Sequence, residues 1–300
     1  MSARIIDGKA IAETMRGEIA ADAAAFTAEH GVKPGLSVVL VGVDPASEVY
    51  VRMKGKAADA AGFSSRQITL PADTPHDELI GVIDGLNADP ETHGILVQLP
   101  LPKQIDSDEV LRRIDPAKDV DGFHPSNVGR LAIGDTDVLA PCTPAGCIEM
   151  LLRSGYDPAG QHVVIVGRSN IVGRPLALLL LRNGRGGNAT VTVAHSRSKD
   201  LGAVTRQADI LVAAVGRAEL ITADMVRDGV VVIDVGVNRV EDPAAPKGYR
   251  LVGDVAYDEV AARAAAISPV PGGVGPMTIT MLLKNTLEAA RRQVQSAATV

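Results

Sequence analysis

Tyr50 and Lys54 stand four residues apart in a segment whose spacing predicts a helix, so they share one face of it. An aromatic ring and an amine on one face can line a pocket; the plainer reading is a lysine snorkelling past a half-buried tyrosine. Gln98 ends an apolar strand, Gly94-Ile95-Leu96-Val97-Gln98, and precedes Leu99-Pro100-Leu101-Pro102. Ligands of open α/β sheets gather at strand C-terminal ends. A polar side chain there either meets a partner or closes a surface turn. Asp119 and Asp121 lie in KDVDGFHPSN, where Asp119 reads as a turn-maker and Asp121 as either turn-maker or ligand. No His or Cys cluster backs them, so no metal site is expected. No nucleophile elbow is present.

A second chemistry is written in Val163 to Pro175. A β-branched run ends at Gly167, a turn follows, and Pro175 opens a run of leucines from Leu176 to Leu181. That pattern predicts a buried strand, a tight turn and a helix start, whose unpaired N–H groups suit phosphate. The generic dinucleotide spacing of three glycines is only half met. Ser169 stands at the second position and Gly173 comes one residue late. The next strand, Asn188 to Ala194, ends in His195-Ser196-Arg197 with no carboxylate to hold a ribose 2′-hydroxyl. Cations and hydroxyls there, with Arg168 in the first turn, suit a 2′-phosphate, so the expected carrier is NADP rather than NAD.

The elements that must position these groups are those of a two-domain α/β chain. Three hundred residues suit two domains. Aromatics make up 2% and tryptophan is absent, so the core must be aliphatic, as buried parallel strands are. A net charge of −6 argues against a nucleic-acid surface. Cys142 and Cys147, five apart in an expected helix, face too differently for a disulfide and are read as packing residues. No apolar signal core or membrane-length run is present, so a soluble, cytoplasmic protein is expected.

In order, the pattern predicts a helix from Lys9 to about Glu29, a strand from Leu36 to Val41 and a turn at Gly42 to Pro45. A helix capped by Ser47 and a strand from Phe63 to Leu70 follow, then helices at Pro75 to Ala88 and Asp106 to Ile114. Asp115 to Ala140 reads as irregular, a length that signals function or disorder. Thr143 is expected to cap a helix reaching Arg153, with Pro144 at its first position. Further strands are expected at Ile210 to Val215 and Val230 to Val235, with a short helix capped by Thr222 between them. A polar turn at Asp242 to Gly248 and a helix from Ala256 to Ala266 come next. Pro269 to Pro276 is too rich in Gly and Pro for regular structure, and a long helix from Met277 to about Gln295 closes the chain. Strands alternating with helices predict a largely parallel sheet. The expected domains are 1–141 plus 275–300, and 142–274, the last helix packing back on the first domain.

The segments YVRMKGKA, GILVQLPLP, PAKDVDGFHPSNVGRL, PCTP, VGRSNIVGRP, DVGVNR and PVPGGVGPMT, in this order and spacing, resemble one family. It is the bifunctional methylenetetrahydrofolate dehydrogenase/cyclohydrolase family, matched from about Ile6 to Arg291. Departures are small: Ser268 stands where threonine is common, and Cys147 and His195 lie at variable positions. The resemblance implies a folate-binding catalytic domain, a Rossmann-type NADP domain and an active-site cleft between them. It implies that Tyr50 stacks on the folate's aminobenzoyl ring, Lys54 catalyses the cyclohydrolase step, Gln98 tunes Lys54 and Asp121 binds the pterin. Pro271, Gly272 and Gly273 would wrap the folate, while Gly167, Arg168, Ser169, Ser196 and Val237 would contact NADP. A homodimer is the family's usual assembly. The implied activity is oxidation of 5,10-methylenetetrahydrofolate with NADP, then hydrolysis to 10-formyltetrahydrofolate. A dehydrogenase with little cyclohydrolase activity, a regulatory module with a dead catalytic half, and a shikimate- or malate-type dehydrogenase are the alternatives. The first two fit poorly with Lys54, Gln98 and Asp121 all standing in their motifs. The third needs basic carboxylate-binding residues that have no motif support.

Overall fold

Runs of Val, Ile and Leu between glycine-rich turns make the strands here, and helices with one apolar face cover them. The computed structural model describes residues 3–42, 45–245 and 248–298. From the start come β1 (Arg4–Ile5), α1 (Gly8–His30), β2 (Gly35–Val41), α2 (Pro45–Ala60), β3 (Ser64–Leu70), α3 (His76–Ala88) and β4 (Gly94–Val97). Then follow α4 (Ser107–Arg113), α5 (Pro125–Ala132), α6 (Cys142–Arg153), β5 (His162–Val166), α7 (Gly173–Leu181), β6 (Thr190–Ala194) and α8 (Leu201–Thr205). Next are β7 (Ile210–Ala213), a 3-10 turn (Ala223–Met225), β8 (Val231–Asp234), β9 (Asn238–Glu241) and β10 (Tyr249–Val252). α9 (Tyr257–Ala261), β11 (Ala266–Ile267) and α10 (Val274–Ala298) end the chain. The chain forms two units, one of residues 13–142 and 279–300, the other of residues 1–12 and 143–278.

The first unit is built on a parallel sheet in the order β3-β2-β4. All seven residues of β2 are buried, as a central strand covered on both faces must be. Val39, Val41, Ile95 and Val97 pack with Leu79 and Ile83 of α3 and with Val110 and Ile114. α1 contributes Met15, Ile19, Ala23 and Phe26, three or four residues apart and all buried. α4 is capped by Asp106, whose side chain accepts from the backbone N–H groups of Asp108 and Glu109.

The second unit is a parallel sheet of six strands, β1-β11-β8-β7-β5-β6, with a separate antiparallel pair, β9 and β10. β5 pairs with β6 on one side and β7 on the other, so the strand order reverses direction there.

Several expectations need correcting. Residues 1–12 belong with the six-stranded unit, not with 13–142, because Arg4 and Ile5 pair with Ala266 and Ile267. Those last two form a short strand between β1 and β8, and α9 stops at Ala261 where a helix was expected to reach Ala266. Pro125–Ala132 is helical inside the stretch expected to be irregular: Pro125 sits in its first turn and His124 Nδ1 accepts from the N–H of Ser126. The helices expected to be capped by Ser47 and Thr143 begin earlier, at Pro45 and Cys142, so both residues lie inside them. β9 and β10 were unexpected, and Val274 starts α10 within the stretch read as irregular. The turns expected at Gly42 to Pro45 and Asp242 to Gly248 fall partly outside the described residues. Both cysteines are free and buried, and no helix among the described residues is long and apolar enough to cross a membrane.

Candidate functional site

In the three-stranded unit, α2 carries Tyr50 and Lys54 on one face, and Lys54 is buried. Its Nζ lies 4.8 Å from the centre of the Tyr50 ring, a cation–π contact. Gln98 follows the last residue of β4, and its backbone N–H donates to Val39 O at 2.8 Å, which prolongs the sheet by one bond. The Gln98 side chain is thereby fixed at a strand end. Its Oε1 accepts from Lys54 Nζ at 3.0 Å, and its Nε2 donates to Leu99 O at 2.7 Å. With Nε2 committed to Leu99, the oxygen is the atom left facing the amine.

Burial lowers the Lys54 pKa, and the charge of Asp121 pulls the other way. Burial raises the Asp121 pKa, with Lys54 opposing. The amine therefore has a low cost of giving up its proton, and a neighbouring carboxyl keeps the protonated form accessible. Burial also pushes the Cys142 thiol well up, and that of Cys147 to about 12. Both are inert thiols, as packing residues are.

Asp121 is held by its neighbours. Asp119 is buried, and its carboxylate accepts from the N–H groups of Gly122 (3.1 Å) and His124 (2.7 Å) and from Asn127 Nδ2 (2.9 Å). It makes a turn, as its sequence context implied, but from the inside. Asn285 on α10 donates through Nδ2 to Val120 O and Ala140 O, both at 2.8 Å. Sequence reasoning missed Asn285; a polar residue among the apolar positions of a core helix was the available signal.

In the six-stranded unit, a cavity opens where the strand order reverses, at the C-terminal ends of β5 and β7. Gly167, Arg168, Ser169 and Ser196 line it, and so do His195 and Arg217, which were not singled out as contacts. Val237 does not line it; it is exposed beyond the end of β8. The unusual glycine spacing has a steric reason. Gly167 adopts φ +139°, and a Cβ there would collide with Ala214 O; a Cβ at Gly173 would collide with Gly167 O. Ser169 Oγ accepts from Val172 N at 3.1 Å, tying the turn to the start of α7. Among the described residues no Asp or Glu lines this cavity, while Arg168 and Arg217 do. A phosphate finds cations, hydroxyls and a helix start there, and no repelling carboxylate.

Pro271, Gly272 and Gly273 precede α10 in this same unit, whereas Tyr50, Lys54, Gln98 and Asp121 belong to the other. Gly272 has φ +104°, and its carbonyl accepts from Lys9 N at 2.9 Å. A Cβ at Gly8 would collide with Gly273 O, so two backbones approach closely there. No group of three or more His, Cys, Asp or Glu residues among the described residues is arranged to hold a metal.

Two family models match the chain: tetrahydrofolate dehydrogenase/cyclohydrolase, catalytic domain, over residues 6–121, and the NAD(P)-binding domain of the same family over residues 141–294. The bifunctional protein FolD of Chlorobium luteolum is 56% identical over 289 residues, 96% of this chain and 98% of that protein. FolD 1 of Myxococcus xanthus is 58% identical over 290 residues, 97% of this chain and 98% of that one. Among solved structures, the Trypanosoma brucei methylenetetrahydrofolate dehydrogenase-cyclohydrolase, complexed with NADP and an inhibitor, superposes with a TM-score of 0.92. It shares 42% identity over 98% of this chain and 99% of that one.

Proposed function

The chain belongs to the tetrahydrofolate dehydrogenase/cyclohydrolase family, and from that premise we propose how its two sites carry out the family's two steps. The chain oxidises 5,10-methylenetetrahydrofolate with NADP and hydrolyses the resulting methenyl cation to 10-formyltetrahydrofolate. Folate chemistry is assigned to Tyr50, Lys54, Gln98 and Asp121, and the nucleotide to the cavity at Gly167, Arg168, Ser169, Ser196 and Arg217.

Bound in that cavity, NADP supplies a ring that accepts hydride from the methylene carbon. The close backbone approach at Gly167 and the arginines beside a helix start fit its phosphates. In the second step, water adds to the methenyl carbon. The neutral Lys54 amine takes one proton from the adding water, and the ammonium returns it to N5 as the bond from carbon to N5 breaks. The remaining hydroxyl proton leaves to solvent as the formyl C=O forms, so one proton is released overall. The formyl group stays on N10. Gln98 holds the amine in place through its oxygen, which can accept from both the amine and the ammonium. Tyr50 offers its ring to the aminobenzoyl group, and Asp121 accepts from the pterin N–H groups. Pro271, Gly272 and Gly273 bring backbone against the folate, and Val237 contacts the nucleotide. Family membership also supports a homodimer acting in the cytoplasm, which analytical ultracentrifugation and cell fractionation test.

The observation that carries the reading is the buried Lys54–Gln98 pair with the charge of Asp121 acting on it. A coupled assay tests it. Methylenetetrahydrofolate and NADP are mixed, NADPH is followed first, and then the loss of the methenyl chromophore. Lys54→Ala is expected to form NADPH and lose hydrolysis beyond the uncatalysed rate. Full hydrolysis by that variant overturns the assignment.

A further inference from the structure

The carboxylate of Asp254 follows β10, is fully buried, and has no part in the chemistry above. It faces the back of the loop that lines the nucleotide cavity. Its Oδ2 accepts from Val215 N at 2.6 Å and Gly216 N at 2.9 Å. Its Oδ1 accepts from Arg217 N and from Asn238 Nδ2, both at 2.9 Å. Three consecutive backbone N–H groups thus converge on one side chain, and a fourth donor comes from the segment after β8. Val215 and Arg217 line the nucleotide cavity. Gly236 and Val237 lie immediately before Asn238, and a Cβ at Gly236 would overlap the Asp254 carboxylate. Asp254 is itself anchored: Asp234 Oδ1 accepts from Asp254 N at 3.0 Å, and Asp234 Oδ2 from Val255 N at 3.0 Å.

We propose that Asp254 is the positioning residue of the nucleotide cavity, fastening the Val215–Arg217 loop and the Gly236–Asn238 segment to each other from beneath. The inference rests on the NADP reading of that cavity. Gly216 and Arg217 are exposed, and the Asp254 carboxylate holds their N–H groups from the protein side. Two carboxylate oxygens can serve four donors; an amide has one acceptor oxygen, and its NH2 would confront two N–H groups. Asp254→Asn keeps the volume and removes that capacity. Asn238→Ala removes only the link to the second segment and spares the loop.

The test measures NADP binding by titration, NADP and folate KM in the dehydrogenase assay, and methenyl hydrolysis, which needs no nucleotide. Asp254→Asn is expected to raise NADP Kd and KM about tenfold. Folate KM and the hydrolysis rate are expected to stay within twofold of the parent. Asn238→Ala is expected to raise NADP KM about threefold with the same selectivity, and it carries the test if Asp254→Asn does not fold. A parallel loss of hydrolysis and NADP affinity in both variants would reduce Asp254 to a general stabiliser and overturn the proposal. NADP affinity unchanged in both would do the same. A parent protein that binds no NADP would instead sink the reading of the cavity itself.

Discussion

Gln98→Glu changes one atom group at the hydrogen bond that holds Lys54, and its effect can be worked from the geometry. Gln98 Oε1 lies 3.0 Å from Lys54 Nζ. A carboxylate oxygen in that place attracts the ammonium by about 5.5 kcal/mol at an effective dielectric constant of 20. The new charge must itself be desolvated, so about half of that remains as preference for the ammonium. At 1.36 kcal/mol per unit, this raises the Lys54 pKa by about two units. Burial holds the parent amine below its usual range, and the added charge opposes that shift. Below both pKa values the neutral fraction falls tenfold per unit, so hydrolysis at pH 7 should drop about a hundredfold. Loss of the methenyl chromophore is followed from pH 6 to 10. The variant should regain rate as pH rises, its profile displaced toward alkali by about two units. NADPH formation should be affected far less. A variant that hydrolyses at the parental rate with an undisplaced profile refutes the assignment of a neutral Lys54 as base.

Three further outcomes are expected. Gly173→Ala places a Cβ against Gly167 O and forces the turn beneath the nucleotide open; NADP KM should rise at least tenfold while hydrolysis survives, and an unchanged KM would show the close approach is dispensable. Burial raises the Asp234 pKa to about 7. The folded state then holds a proton that the unfolded state has released, so the contribution is present below about pH 4 and is lost as pH rises to 7. It is on the order of 4 kcal/mol. Urea unfolding of parent and Asp234→Asn at pH 5 and 8 should differ in slope against pH, and identical slopes would contradict the shift. Asp121→Ala should raise folate KM about tenfold or more, and a parental value would remove Asp121 from the pterin site.

Much of this architecture was readable from residue order because buried parallel strands announce themselves. Val163 to Val166 and Ile210 to Ala213 are unbroken apolar runs ending at glycine or small residues, and no helix pattern competes with them. β1 and β11 carry two residues each, too few for any periodicity, and the alanines before β11 imitate a helix. α5 was hidden because its cap is a histidine and one of its two buried positions is Asn127, so neither the usual cap nor an apolar stripe marks it. For the site, Lys54, Gln98 and Asp121 were named through their motifs. That Gln98 Oε1 accepts from Lys54 Nζ was implied by the resemblance alone; spacing could not show it, because the partners are 44 residues apart on different elements. Asp254 left no trace at all: three of its four donors are backbone N–H groups, which every residue but proline carries.

The pairing of Arg4 and Ile5 with Ala266 and Ile267 bears on how the chain is born. During translation the opening residues leave the ribosome long before their strand partners exist. Residues 279 to 300, which complete the other unit, emerge later still. Neither unit can be finished before its later segment has been made, and the early segments must wait, partly uncovered, for it. A ribosome stalled shortly before Ala266 should therefore display a nascent chain that proteases cut near both its beginning and its middle, whereas full-length release should protect both at once.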